Sequence, residues 1–136
     1  MQRIVVAAKA GAEQPWLADA AAGLAEQTGA DVAVVSFDGL ELEALSTLPR
    51  DELAKGAEEA AGAVAERIAR AGVNVTAENR SGPVVRGVLI FAEEKEADLI
   101  MVGASSRGRV GRMLGNVTTR LVERSRRPVL VITPPQ

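Results

Sequence analysis

Short runs of β-branched and other apolar residues alternate along the chain with longer segments of helical period. The runs are RIVVAA from Arg3, DVAVVSF from Asp31, VNVTAE from Val73, DLIMVG from Asp98 and RPVLVITPP from Arg127. This alternation is typical of a parallel sheet with helices on both faces. We therefore predict an α/β fold, a three-layer α/β/α sandwich around a five-stranded parallel sheet, in a single domain over residues 1–136.

Four segments have the apolar spacing of helices that pack on a sheet. The first begins at Pro15, ends before Gly29 and is expected to bury Trp16, Leu17, Ala20, Ala21 and Leu24. The second begins at Arg50, ends before Gly72 and is expected to bury Leu53, Ala57, Ala60, Val64, Ile68 and Ala71. The third follows the Gly82-Pro83 turn and is expected to bury Val84, Val88 and Phe91. The fourth is expected from Arg112 to Arg124, and DGLELEALSTLP, residues 38–49, is predicted to be a loop.

The chain has no cysteine and no histidine. Disulfides, thiolate chemistry and an ordinary hydrolytic triad are therefore excluded. The acidic runs at Glu58-Glu59 and Glu93 to Glu96 lack a third partner at metal-ligand spacing, so we predict no catalytic residue and no metal ligand. Lys9 and Glu13 interrupt the apolar start before it reaches the length of a signal or membrane segment. We predict a cytoplasmic protein with no membrane insertion.

Positive charge is concentrated near the C-terminus of a chain whose net charge is −2. Seven arginines between residues 102 and 127 are accompanied there by one acidic residue, Glu123. Local basic charge suits phosphate groups, whereas the acidic remainder and the scarcity of aromatic residues argue against a nucleic-acid partner.

A glycine-rich stretch, VGASSRGRVGRMLGNVTTR from Val102 to Arg120, lies between a predicted strand and a predicted helix. Such a turn can present backbone N–H groups and the positive end of a helix dipole to a phosphate, at the carboxyl end of a strand. The P-loop lysine and the dinucleotide-binding glycine pattern are absent. From these residues alone, phosphate binding and a flexible basic connection fit equally well.

Three segments, ADLIMVG, GNVTTRLV and RPVLVI, together with the order of elements, resemble the universal stress protein family. The resemblance implies a Rossmann-like fold of the adenine-nucleotide-hydrolase type. It also implies an adenine nucleotide, ATP, AMP or a cyclic form, held by a loop of pattern G-x2-G-x9-G-[ST]. Gly103 matches the first glycine and Gly115 the last, at a separation one residue short. Ser106 stands at the second glycine and Asn116 at the hydroxyl position, while Val117 and Thr118 agree with the family.

Other residues of the implied site follow the first two strands. Where family members resemble VDGS or TDFS and use the aspartate near the nucleoside, this chain has Lys9, which either attracts phosphate or points to solvent. Phe37 is placed beside the adenine, where its ring either stacks on the base or fills the core. Arg107 either contacts phosphate or belongs to a solvated basic face. The predicted nucleotide-binding set is Ala8, Lys9, Phe37, Val102, Gly103, Ser106, Arg107, Gly115, Asn116, Val117 and Thr118.

The resemblance implies a stress-response regulatory module rather than an enzyme. It also implies a homodimer joined through the last strand, Val129 to Ile132, because an apolar edge strand attracts pairing. The degenerate loop leaves a second function open, an interaction dimer that binds no nucleotide, and a slow ATPase is a third. A protein or transporter partner is also left open, as is Mg²⁺ or Mn²⁺ beside the nucleotide.

Overall fold

The computed structural model describes residues 1–38, 50–104 and 116–135. Strands and helices alternate along these residues. They are β1 (Arg3–Ala7), α1 (Pro15–Thr28), β2 (Asp31–Asp38), α2 (Arg50–Arg70), β3 (Val75–Ser81), α3 (Val84–Glu94), β4 (Leu99–Gly103), α4 (Asn116–Arg124) and β5 (Val129–Ile132). All paired strands are parallel, and the order across the sheet is β3-β2-β1-β4-β5. The predicted α/β fold with a five-stranded parallel sheet is confirmed.

Alternate residues of β1 enter two separate hydrophobic cores, one on each face of the sheet. Ile4 and Val6 pack with α1 and α2, whereas Val5 and Ala7 pack with α3 and α4. All four side chains are buried. Because both faces of the strand are covered, these four positions are all apolar, and this is the pattern from which we predicted a central strand.

The predicted ends of α1 are confirmed. Pro15 occupies the first turn, where its missing N–H costs no helical hydrogen bond. Gly29 has a left-handed conformation with φ 73°, and its N–H donates to the Ala25 carbonyl at 2.8 Å. This cap turns the chain directly into β2.

The buried faces of the helices differ in part from those predicted. In α1 the buried residues are Leu17, Ala18, Ala21, Ala22 and Ala25. Trp16, Ala20 and Leu24 are only partly covered, because the alanine face allows closer approach to the sheet and leaves the larger side chains at its margin. Ala71 lies beyond the end of α2 and is exposed, and Val84, at the start of α3, is less buried than Val85. The Leu53 side chain lies outside the part that the structure describes.

The third strand runs from Val75 to Ser81, not from Val73 to Glu78. It extends through polar residues because β2 continues to Asp38, which we had assigned to the loop, and pairs there with Ser81. β4 begins one residue later than predicted, at Leu99. Residues 39–49 of the predicted loop, and residues 112–115 of the predicted fourth helix, lie outside the described residues.

Candidate functional site

The strand order reverses between β1 and β4, at the centre of the sheet. The chain continues from β1 to β2 on one side of this point and from β4 to β5 on the other. The connections therefore diverge and leave a crevice outside the carboxyl ends of the two strands, where Ala7 pairs with Val102. Ligands of open α/β sheets bind in such a crevice.

Several residues of the predicted set surround this crevice. Ala8 follows β1 and donates its N–H to the Val35 carbonyl at 2.9 Å, and Val102 is buried. Gly103 ends β4, and its carbonyl accepts a long hydrogen bond of 3.5 Å from the hydroxyl of Thr118 in the first described turn of α4. The structure thus brings Gly103 and Thr118 together across 15 residues of sequence.

The remaining predicted residues differ in their exposure to solvent, and three of them lie outside the described residues. Asn116 and Val117 begin the described part of α4 and are exposed, as is Lys9 after β1. Phe37 is 5% exposed, and its ring packs on α3, where a methyl group at Gly87 would come within 2.2 Å of Cε1. The Phe37 ring therefore fills the core, which leaves only its backbone free to meet a ligand. Ser106, Arg107 and Gly115 lie outside the described residues.

Two side chains at the crevice were not predicted. Gln14, immediately before α1, is buried, and its Oε1 accepts the N–H of Lys9 at 3.0 Å. Trp16 packs beside it, and both side chains occupy the space next to the Gly103 Cα, where any other residue would have its side chain. A methyl group at Gly103 would lie 2.5 Å from Trp16 Cη2 and 2.6 Å from Gln14 Nε2.

Buried polar side chains are concentrated near this edge of the sheet. Within the described residues they are Gln14, Ser36, Asp38 and Thr118. Ser36, near the end of β2, donates its hydroxyl to the Ala57 carbonyl of α2. Because burying polar groups is unfavourable without compensation, their concentration sets the carboxyl edge apart from the apolar cores.

A groove of about 580 Å³ lies beside the crevice, between the β1–α1 loop and α2. Its described lining includes Gly11, Gln14 and Ala60, but none of the residues predicted to bind nucleotide. Arg67 of α2, which also lines the groove, donates two hydrogen bonds to Asp19 of α1, at 2.6 and 3.0 Å. These hydrogen bonds hold the pKa of Asp19 below its usual value, and the ionised Asp19 balances the positive charge of Arg67. Gln14 thus borders both the groove and Gly103.

The described residues contain neither a cluster of acidic side chains suited to a metal ion nor a membrane-spanning helix. There, no three acidic side chains are close enough together to hold a metal ion. No helix in those same ranges is long and apolar enough to cross a membrane.

The sequence profile of the universal stress protein family matches residues 1–133. The chain belongs to the universal stress protein family. A universal stress protein of Methanocaldococcus jannaschii is 32% identical over 106 residues, which are 77% of this chain and 62% of that relative. The match thus spans less than two thirds of the relative's length.

Solved universal stress protein structures share the fold. One from Archaeoglobus fulgidus, in complex with dAMP, has a TM-score of 0.76 at 22% identity and covers 97% of this chain and 98% of its own. Another, in complex with cAMP, has a TM-score of 0.71 at 23% identity, with 96% of each chain covered. The family resemblance seen in ADLIMVG, GNVTTRLV and RPVLVI is confirmed.

Proposed function

We propose that this universal stress protein binds an adenine nucleotide in the crevice between β1 and β4. The observation that carries the proposal is the meeting of Gly103, at the end of β4, with the first described turn of α4 at Thr118. A helix that begins beside a strand-end glycine directs backbone N–H groups toward the crevice, which favours a phosphate. Two proteins of the same fold have been solved with dAMP and cAMP, which supports an adenine nucleotide as the ligand.

The adenine is expected to be recognised by backbone groups at the end of β2. Phe37 is available there through its backbone alone, since its ring packs on Gly87 of α3. Ser106, Arg107, Gly115 and Asn116 are expected to complete the phosphate side, as the family pattern implies. The single domain, the cytoplasmic location and any metal beside the nucleotide stay predictions from the sequence.

Thermal unfolding with ATP, AMP, cyclic AMP and no ligand tests this proposal. A nucleotide at one hundred times its dissociation constant should stabilise the fold by about 2.7 kcal/mol, a shift of several degrees in Tm. GTP is the matched control, and an equal shift with GTP would contradict selection of adenine. No shift with any adenine nucleotide, and none retained through purification, would refute binding.

The proposed role is regulation rather than catalysis. The chain offers no histidine or cysteine to act as general base or nucleophile. Nucleotide incubated with the protein should therefore remain intact over hours when followed by chromatography. ADP or AMP formed from ATP at a rate proportional to protein concentration would favour the slow ATPase.

An interaction dimer is the second candidate function, and the edge strand β5 favours it. Its four residues, Val129–Ile132, are all apolar, and Leu130 is 40% exposed. An unpaired apolar edge is a template for pairing with a second chain. We propose a homodimer through β5 whether or not nucleotide binds.

A further inference from the structure

The Gln14 side chain is largely buried, and only one of its two polar atoms has a hydrogen-bond partner among the described residues. The residue is 7% exposed and precedes the first residue of α1, yet its side chain does not cap that helix. It turns instead toward the β1–α1 loop, where Oε1 accepts the Lys9 N–H at 3.0 Å. Because Lys9 N–H is a donor, the amide oxygen has to face it, which fixes the orientation of the amide.

The other end of this amide faces the crevice. Nε2 lies next to the Gly103 Cα, in the space that a side chain at that position would fill. Among the described residues, none accepts a hydrogen bond from Nε2. An amide N–H that no described protein group accepts is available to a ligand, so a group that binds here and supplies an oxygen can accept a hydrogen bond from it.

We propose that Gln14 is a specificity-determining residue, whose Nε2 donates a hydrogen bond to an acceptor oxygen of the bound nucleotide. This inference rests on the proposed function. The Lys9 contact keeps the amide in place before the ligand arrives, so little side-chain entropy is lost on binding. The acceptor is either a sugar hydroxyl or a phosphate oxygen, and both present the same chemistry to an amide N–H.

Gln14→Glu separates this role from a structural one. Glutamate keeps an oxygen that can accept the Lys9 N–H but has no Nε2 donor. We expect Tm without ligand to change by less than about 2 °C, because the anchor is kept, while the dissociation constant for AMP rises at least about tenfold. Gln27→Glu makes the same change of charge at an exposed position of α1 and should leave AMP affinity within about twofold of the wild type.

A second variant, Gln14→Met, and a second ligand, adenosine, show whether the loss of affinity comes from repulsion between the glutamate and the phosphate. Methionine has similar length and no polar donor, and adenosine has no phosphate to be repelled by glutamate. Binding is followed by calorimetry and by the fluorescence of Trp16, the single tryptophan, which lies beside Gly103. An equal loss for adenosine and AMP in both variants supports a contact with the sugar, and a loss confined to AMP in Gln14→Met supports a contact with phosphate.

The proposal is overturned if the wild type binds while Gln14→Met binds both ligands within about twofold of it. It is also overturned if the loss appears only with Gln14→Glu and AMP, since charge repulsion then accounts for it. A wild-type protein that binds neither AMP nor ATP would refute the proposed function itself, which separates the two failures.

Discussion

Gly103 shows how a single residue can belong to a ligand motif and also be required by the free protein. The family pattern places it at the first glycine of the nucleotide loop. In the structure, the space beside its Cα is filled by the Trp16 ring and the Gln14 amide. The glycine is therefore needed for packing across the crevice even before a ligand is considered.

We expect Gly103→Ala to lower the free energy of unfolding by about 1–3 kcal/mol, because the added methyl overlaps both neighbours. Gly23→Ala in α1 is the matched control, since a methyl there meets nothing within 4 Å. It should raise the free energy of unfolding by about 0.5–1 kcal/mol through helix propensity. Urea unfolding measures both, and a Gly103→Ala protein as stable as the wild type would show that Trp16 moves aside at little cost.

At the scale of elements, the amino ends of β1 and β4 are joined by Asp98. Its Oδ2 accepts the N–H groups of Gln2 and Arg3 at 2.7 and 2.9 Å, and its own N–H donates to the Arg3 carbonyl at 2.9 Å. The hydrogen bonds from the Arg3 and Gln2 N–H groups lower the pKa of Asp98. The ionised carboxylate therefore holds the two central strands in register at the edge opposite the crevice.

This lowered pKa predicts a pH dependence of stability. A carboxyl whose pKa is lower in the folded state stabilises the fold above its unfolded pKa of about 3.9, and the contribution is lost as pH falls through the folded pKa. Asp98→Asn should therefore be less stable than the wild type at pH 7, and the difference should shrink below about pH 4. Urea unfolding from pH 7 to pH 2.5 measures this difference, and one that is constant with pH would contradict the prediction.

The sequence predicted those helices and strands whose apolar residues recur in a regular pattern. It failed where a segment becomes a strand only because a neighbouring strand pairs with it. β1 was predicted because both of its faces are buried. The last residues of β3, including Asn79 and Arg80, are polar and have no such pattern, and they form a strand only because β2 extends beside them. The buried face of α1 differs from the predicted one because periodicity identifies a row of apolar residues along a helix. It does not show how closely the alanines let α1 approach the sheet.

The residues that lie around the crevice could be predicted from the sequence only in part. Motif spacing identified Gly103 and Thr118, which the fold brings into contact. Gln14 was missed because a glutamine in a loop before a proline is typical of an exposed surface, and only the folded chain shows that it is buried. A tryptophan at the second position of α1 was a signal that could have pointed to a covered loop.

The two edges of the sheet differ in the whole molecule. β5 presents an apolar edge with Leu130 partly exposed, whereas β3 carries Glu78 and Arg80. Arg80 pairs with Glu94 of α3 at 2.7 Å and lies 4.7 Å from the centre of the Phe91 ring, while Lys95 lies 3.3 Å from Glu78. The proposed homodimer therefore uses the edge that lacks this charged network.

We expect Leu130→Lys to raise the dimer dissociation constant at least about tenfold, because it places a charge in the apolar pairing edge. Ile90→Lys is the matched control: Ile90 is 47% exposed, on α3 and away from the strand. Analytical ultracentrifugation over a range of protein concentrations measures both. A wild type that is monomeric throughout, or equal dissociation of both variants, would contradict pairing through β5.

The charged network on β3 has a consequence for how far such assembly can grow. Exposed ion pairs contribute little to the stability of one molecule. If both edges were apolar, β5 of one copy could add to β3 of the next in a head-to-tail contact that repeats without end. With Glu78 and Arg80 on one edge, that contact would require the desolvation of charged side chains, which is unfavourable. Pairing of two β5 edges about a two-fold axis avoids this cost and leaves no apolar edge for a third copy. We therefore expect the ion pairs of β3 to disfavour head-to-tail growth of the proposed dimer into filaments.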